Sequence, residues 1–124
     1  MFDALQILLF GRQPFAKVSN KTLERIIRRE FGNCANDVKQ KLQEISATPN
    51  SKNRISAAIL KLADNDINAL DDLIKTSNND FRDIVIKAEY PRCSNLDFVE
   101  IKRNGMKQIY FADWKEYSNW LNKI

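Results

Sequence analysis

Histidine is absent from this chain of 124 residues. Its absence removes Ser-His and Cys-His activation of a nucleophile, histidine metal ligation and the side chain that most often moves protons near neutral pH. Glycine is scarce, with three isolated residues, so no Gly-rich loop is available to cradle a phosphate. There are two cysteines, Cys34 and Cys93, far apart and in no metal or redox spacing. They read as two free thiols in a reducing cytoplasm, with a disulfide between them as the alternative that the spacing does not support. No apolar run reaches membrane-spanning length. The opening MFDALQILLFG carries Asp3, has no basic start and has no small-residue cleavage site, so it reads as a core or interface helix and not as a signal peptide. These absences argue against an enzyme, a cofactor and a metal, and they place the protein in the cytoplasm with no membrane span.

Helical periodicity is what the chain has in quantity. Apolar residues make up 44% of it, enough to argue against disorder. The organising stretch runs from Asn53 to Pro91 and reads as three amphipathic helices with short polar joints. Ile55, Ala58, Ile59 and Leu62 form the first stripe, with Ser51 or Asn53 as cap. Ile67, Leu70, Leu73 and Ile74 form the second, behind Asp66. Phe81, Ile84, Val85 and Ala88 form the third, capped by Asn78 or Asn79. Tyr90-Pro91 ends it, because the residue before proline is pushed out of the helical region. Upstream, helices are expected over Phe2–Phe10, from a start near Ser19 or Asn20 to Phe31, and over Asn36–Ile45. Asp64-Asn65-Asp66-Ile67-Asn68 resembles the start of a calcium loop. It fails where glycine is needed, at Ala69, and where a bidentate glutamate is needed, at Lys75, so it reads as a polar turn and a helix cap.

After Pro91 the pattern changes. Phe98–Arg103 and Met106–Phe111 flank Asn104-Gly105, the strongest short-range hairpin signal. A two-residue loop would pair Val99 with Tyr110 and Ile101 with Gln108. A final helix follows, with Asp113 and Glu116 in a capping-box spacing and with Trp114, Tyr117, Leu121 and Ile124 on one face. The register predicts Trp114 in the core and Trp120 at the margin. The expected fold is therefore mainly α (α+β): one domain over 1–124, with a compact bundle of about six short helices over 1–91 and a hairpin–helix module over 92–124 packed on it.

Two surfaces are candidates for function. The first is the aromatic C-terminal module, from which Trp120, Tyr110 and Tyr117 could anchor a protein partner. Most aromatics in a small domain belong to the core, and that is the plainer fate for these. The second is basic. Net charge is +4, and residues 1–60 hold ten Lys/Arg against five Asp/Glu. Lys21, Arg25 and Arg28 fall on one side of the second helix with Arg29 beside them, and Lys39 follows on the next helix. The two helices around Gly32 have the outline of a helix-turn-helix, with Asn36, Lys39 and Lys41 available to a groove. A charged helix face is more often simply solvated. The leading expectation is a small non-catalytic binding protein acting through a protein partner, in its most concrete form a bacterial toxin-neutralising immunity protein or similar inhibitor. The +4 charge counts slightly against mimicry of a nuclease's acidic substrate. The alternative is a nucleic-acid-binding regulator that uses the basic face of the helix at 20–31.

Overall fold

Ser19 sets the first described helix: its Oγ accepts the Thr22 N–H at 3.1 Å, as a helix N-cap does. The computed structural model describes residues 17–95 and 106–123. Among them the elements are α1 (Asn20–Phe31), a 3₁₀ turn (Gly32–Cys34), α2 (Ala35–Leu42), α3 (Pro49–Ala63), α4 (Ala69–Glu89), α5 (Pro91–Asn95) and α6 (Met106–Asn122). The helix expected over Phe2–Phe10 lies outside the described residues.

The punctuation follows local chemistry. α3 opens on Thr48-Pro49 rather than at Ser51 or Asn53, because proline at the first helical position gives up an N–H that has no partner there anyway. Asn53 is used elsewhere: its side-chain amide donates to Val18 O at 3.2 Å and to Asn20 Oδ1 at 2.7 Å. α3 ends where Asp64 and Asn65 take positive φ, 51° and 67°, a conformation that short polar side chains tolerate. Asp66 then accepts the Asn68 N–H at 3.0 Å. The near-calcium sequence is thus a turn between two helices. Tyr90 closes α4 before Pro91, as its position predicts.

The two helices expected over 67–74 and 81–88 are one element with a kink at Asp80 (φ −155°, ψ 96°). The Asp80 carboxylate accepts the Arg82 N–H at 3.1 Å and restarts the helix. Asn78 does not cap. Its side chain accepts the Ser46 N–H and donates to Glu44 O, tying the loop after α2 to α4.

α3 and α4 pack most extensively against each other. Every residue from Ile55 to Leu60 is buried, so α3 is enclosed on all sides and not along a single stripe. It lies against α4 on one side and α1 on another. Ile26, Val38, Ile59, Leu60 and Leu70 fill the centre of the core. α6 contacts α1, α4 and α5 and adds Tyr117 and Leu121 to that core. Tyr90, Cys93 and Tyr110 form a second cluster.

The β-hairpin is overturned. Met106–Phe111, the expected second strand, is the first part of α6, and no strand occurs among the described residues. The first strand and Asn104-Gly105 lie outside them. The fold is helical where it is described, and the α+β assignment fails. The physical reason is the spacing of Tyr110, Asp113, Tyr117 and Leu121, all buried. Steps of three and four place them on one helical face. A strand ending at Phe111 would cut Tyr110 off from that face. Asp113 accordingly lies inside α6 and does not cap it.

Tyr117 is 1% exposed, and its hydroxyl has no hydrogen-bond partner among the described residues. A buried donor left unpaired costs about 1–3 kcal/mol. Tyr117→Phe should therefore leave the unfolding free energy unchanged or raise it by about 1 kcal/mol, read from the urea midpoint at constant slope. A loss of stability would mean that the hydroxyl is bonded.

Candidate functional site

α6 carries an aromatic corner at one end and a junction with α1 at the other. At the corner, the Tyr110 and Trp114 rings stand nearly parallel to Tyr90, which terminates α4. Their centroids lie 5.4 and 6.3 Å from the Tyr90 ring. Phe111 meets Tyr110 edge-on at 5.3 Å and is 58% exposed. The base of the corner is polar and fixed. Asp113, 1% exposed, accepts the backbone N–H groups of Arg92 and Cys93 at 3.3 and 3.1 Å and the Arg92 guanidinium at 2.9 Å. Arg92 also reaches Glu116 at 2.7 Å. Glu116, expected in a capping box with Asp113, is instead this arginine's outer partner.

Two thiol and phenol groups of this region are chemically quiet. Burial pushes the Cys93 thiol up to about 12, and the Asp113 charge adds to the shift. The thiolate is the reactive form, so Cys93 is a packing residue. Burial also raises the Tyr110 phenol, although a hydrogen bond with Tyr90 pulls it down. Behind the corner, Glu89 is fully enclosed. Its two oxygens accept from Arg54 Nε and Nη2 at 2.9 Å each.

At the other end of α6, Trp120 is half-buried and its surfaces are in use. Its Nε1 donates to Glu30 at 3.2 Å. Arg29 and Lys61 lie 5.2 and 5.7 Å from the indole, and Tyr117 stacks on it at 5.6 Å. Trp114 is also half-buried. Of the three expected anchors, Tyr110 and Tyr117 are buried and Trp120 is engaged within the molecule.

Phe111 is the residue that sequence reasoning passed over as an anchor. The hairpin expectation puts it at the end of the second strand, Met106–Phe111. On a helix it sits ~100° from Tyr110, at the flank of the buried face, and that spacing was available in the sequence.

The basic face is assembled, but much of it is occupied. Arg25 Nη2 donates to Leu121 O at 2.7 Å, and Arg29 Nη1 donates to Lys123 O at 2.5 Å. Both hold carbonyls at the C-terminal end of α6, where positive charge is favoured. Arg28 and Lys39 share Glu24, each at 2.9 Å. The Lys39 hydrogen bond and charge, with Arg28 behind them, hold the Glu24 carboxyl below its ordinary range. Lys21 and Asn36 are exposed, and Lys41 pairs with Asp71 at 2.8 Å.

Among the described residues no group of three or more His, Cys, Asp or Glu side chains could hold a metal ion, and no helix is long and apolar enough to cross a membrane. Comparison with protein-family models, curated proteins and solved structures finds no match to this chain.

Proposed function

We propose that this protein is a non-catalytic binding protein that engages a protein partner through the aromatic corner of α4, α5 and α6, with Phe111 as the anchor. The observation that carries the reading is a large apolar ring 58% exposed on a rigid base. A partner that covers Phe111 gains the burial of a phenyl ring without having to order the helix that presents it. Arg92, half-exposed on the same corner and held by Asp113 and Glu116, adds a residue type enriched at interface hot spots. Within this class, an immunity protein or similar inhibitor that neutralises a bacterial toxin is the most concrete form. Small size and the absence of histidine and of a phosphate loop support it. The nucleic-acid alternative is weakened because Arg25 and Arg29 are tied to the Leu121 and Lys123 carbonyls, at the end of α6 and just past it.

The experiment is co-purification with the product of the adjacent gene, followed by titration with Phe111→Asp. The substitution should weaken binding at least about tenfold, about 1.4 kcal/mol, with an unchanged helical spectrum and Tm. Rescue of cells from that product's toxicity, lost with Phe111→Asp, would support the inhibitor form. Equal binding by Phe111→Asp would remove the corner as the contact. A salt-sensitive gel shift with duplex DNA, weakened by Arg28→Glu, would favour the alternative.

A further inference from the structure

The outer side of α1 forms an open concavity of about 580 Å³ lined by Lys21, Glu24, Arg25, Arg28 and Arg29. That volume falls within the range of small-ligand sites, about 300–1,000 Å³. Among the described residues that line it, four of five are cations, and Glu24 is already claimed by Arg28 and by Lys39 from α2. Two of the guanidinium groups are fixed from behind. Arg25 is bonded to Leu121 O, and Arg29 is bonded to Lys123 O and lies against the Trp120 ring.

Those anchoring bonds leave donors over. Arg25 Nε, Arg29 Nε and Arg29 Nη2 are buried N–H groups with no hydrogen bond among the described residues, although Arg29 Nε lies 3.6 Å from Glu30 Oε2 in an ion pair. A guanidinium presents five donors in a planar fork, and leaving a charged donor unpaired costs more than leaving a neutral one. The acceptor best suited to such forks carries several oxygens and negative charge. Reaching these donors takes a swing of each guanidinium about its anchored nitrogen. The larger loss of side-chain freedom has already occurred on folding, so it is not charged to binding. We propose that this concavity is a binding site for a small multivalent oxyanion of the phosphate class. Arg25 and Arg29 supply donors that turn toward the ligand about their anchored nitrogens, and Lys21 and Arg28 supply charge at the rim. A duplex fits less well, because its phosphates call for cations free to reach outward along the surface. Here two of the four are held against the end of α6. The site does not depend on the partner proposed for Phe111.

The test is calorimetric titration of the full chain at 0.15 M salt with pyrophosphate, and separately with inorganic phosphate and with a short DNA duplex. One pyrophosphate should bind per chain. Arg28→Gln with Lys21→Gln should weaken it at least about tenfold and leave the ligand-free Tm unchanged, since both side chains are exposed and the Arg28–Glu24 pair is a surface one. Arg25→Lys, which keeps the charge and loses the fork, should also weaken it. Should Arg25→Lys fail to fold, the rim double variant still decides. Absence of pyrophosphate binding at millimolar concentration would overturn the proposal. So would binding that ignores the rim substitutions, or binding of the duplex without binding of pyrophosphate.

Discussion

Glu89→Ala is expected to lower the unfolding free energy by about 3–5 kcal/mol, the largest effect of any single substitution proposed for this chain. The Glu89 carboxylate is fully enclosed and takes two hydrogen bonds of 2.9 Å from Arg54. Truncating it removes two hydrogen bonds and a negative charge from beside a mostly buried guanidinium. Burial alone would lower the Arg54 pKa, yet the Glu89 hydrogen bonds and charge outweigh it and the net shift is upward. The charged form is therefore the one that the folded state holds. Arg54 keeps some contact with solvent, at 21% side-chain exposure, which places the expected loss toward the lower end. Glu89 is also the last residue of α4, where negative charge is disfavoured. Arg54 therefore offsets an unfavourable placement as well as a desolvation penalty. Exchanging both partners, with Arg54→Met and Glu89→Leu, should return most of the loss, because apolar isosteres often replace a buried pair without penalty. Urea unfolding of the two single variants and the double variant measures this directly. A cost below about 1 kcal/mol for Glu89→Ala would mean that the pair is solvated like a surface ion pair. With total stabilities of about 5–15 kcal/mol for a domain, the expected loss is a large share of what holds this chain folded.

The parts of the fold that were legible in the sequence are those fixed within a few residues. α1 begins and ends where Ser19 and Gly32 place it, and α4 stops at Tyr90 because Pro91 follows. The apolar stripes of α1, α2 and α4 are largely the buried faces, but Phe81, expected in the α4 stripe, is 47% exposed just after the kink at Asp80. α3 exceeded its stripe because enclosure from several sides depends on where the neighbouring helices lie, which periodicity does not encode. The hairpin expectation failed for a related reason. Asn-Gly allows a tight turn but does not compel one. The competing signal, four buried positions from Tyr110 to Leu121 at helical spacing, runs over a longer stretch and buries more. Local turn chemistry lost to tertiary burial.

The candidate sites were legible as residue types and not as geometry. The basic stripe on α1 was visible, but the acceptors that hold it were not: Arg25 bonds a carbonyl 96 positions away and Arg29 one 94 positions away. The same holds for Trp120, whose partners Glu30 and Lys61 come from α1 and α3. Pairings of this separation follow from packing and leave no mark in a sequence window. Phe111 could have been found, since extending the α6 stripe back to Tyr110 puts Phe111 on its flank.

Asp113→Ala is the second substitution with a large expected effect, about 3 kcal/mol of stability lost. The sequence placed Asp113 at the start of the last helix as a cap, and the structure makes it a cap for a different helix. It sits inside α6, buried, and accepts the Arg92 and Cys93 N–H groups at the start of α5 as well as the Arg92 guanidinium. Truncation leaves the buried Cys93 N–H and the part-buried Arg92 N–H without their acceptor. Asp113→Asn keeps one acceptor oxygen of similar shape and loses the charge, so it should cost about 1–2 kcal/mol. Arg92→Ala should cost less than either. The Arg92 side chain is half-exposed, its other partner Glu116 is on the surface, and both backbone donors keep their carboxylate. The order Asp113→Ala, Asp113→Asn, Arg92→Ala, from most to least destabilising, is therefore the signature of a capping carboxylate, and urea midpoints for the three variants would establish it. Amide exchange at Cys93 should accelerate in the first variant and stay protected in the third. If Arg92→Ala proved the most damaging, the ion pair and not the cap would hold α5 to α6. Phe111 lies two residues before Asp113 on the same helix, so Asp113→Ala should also loosen the platform that presents it and weaken partner binding without altering any residue of the contact itself.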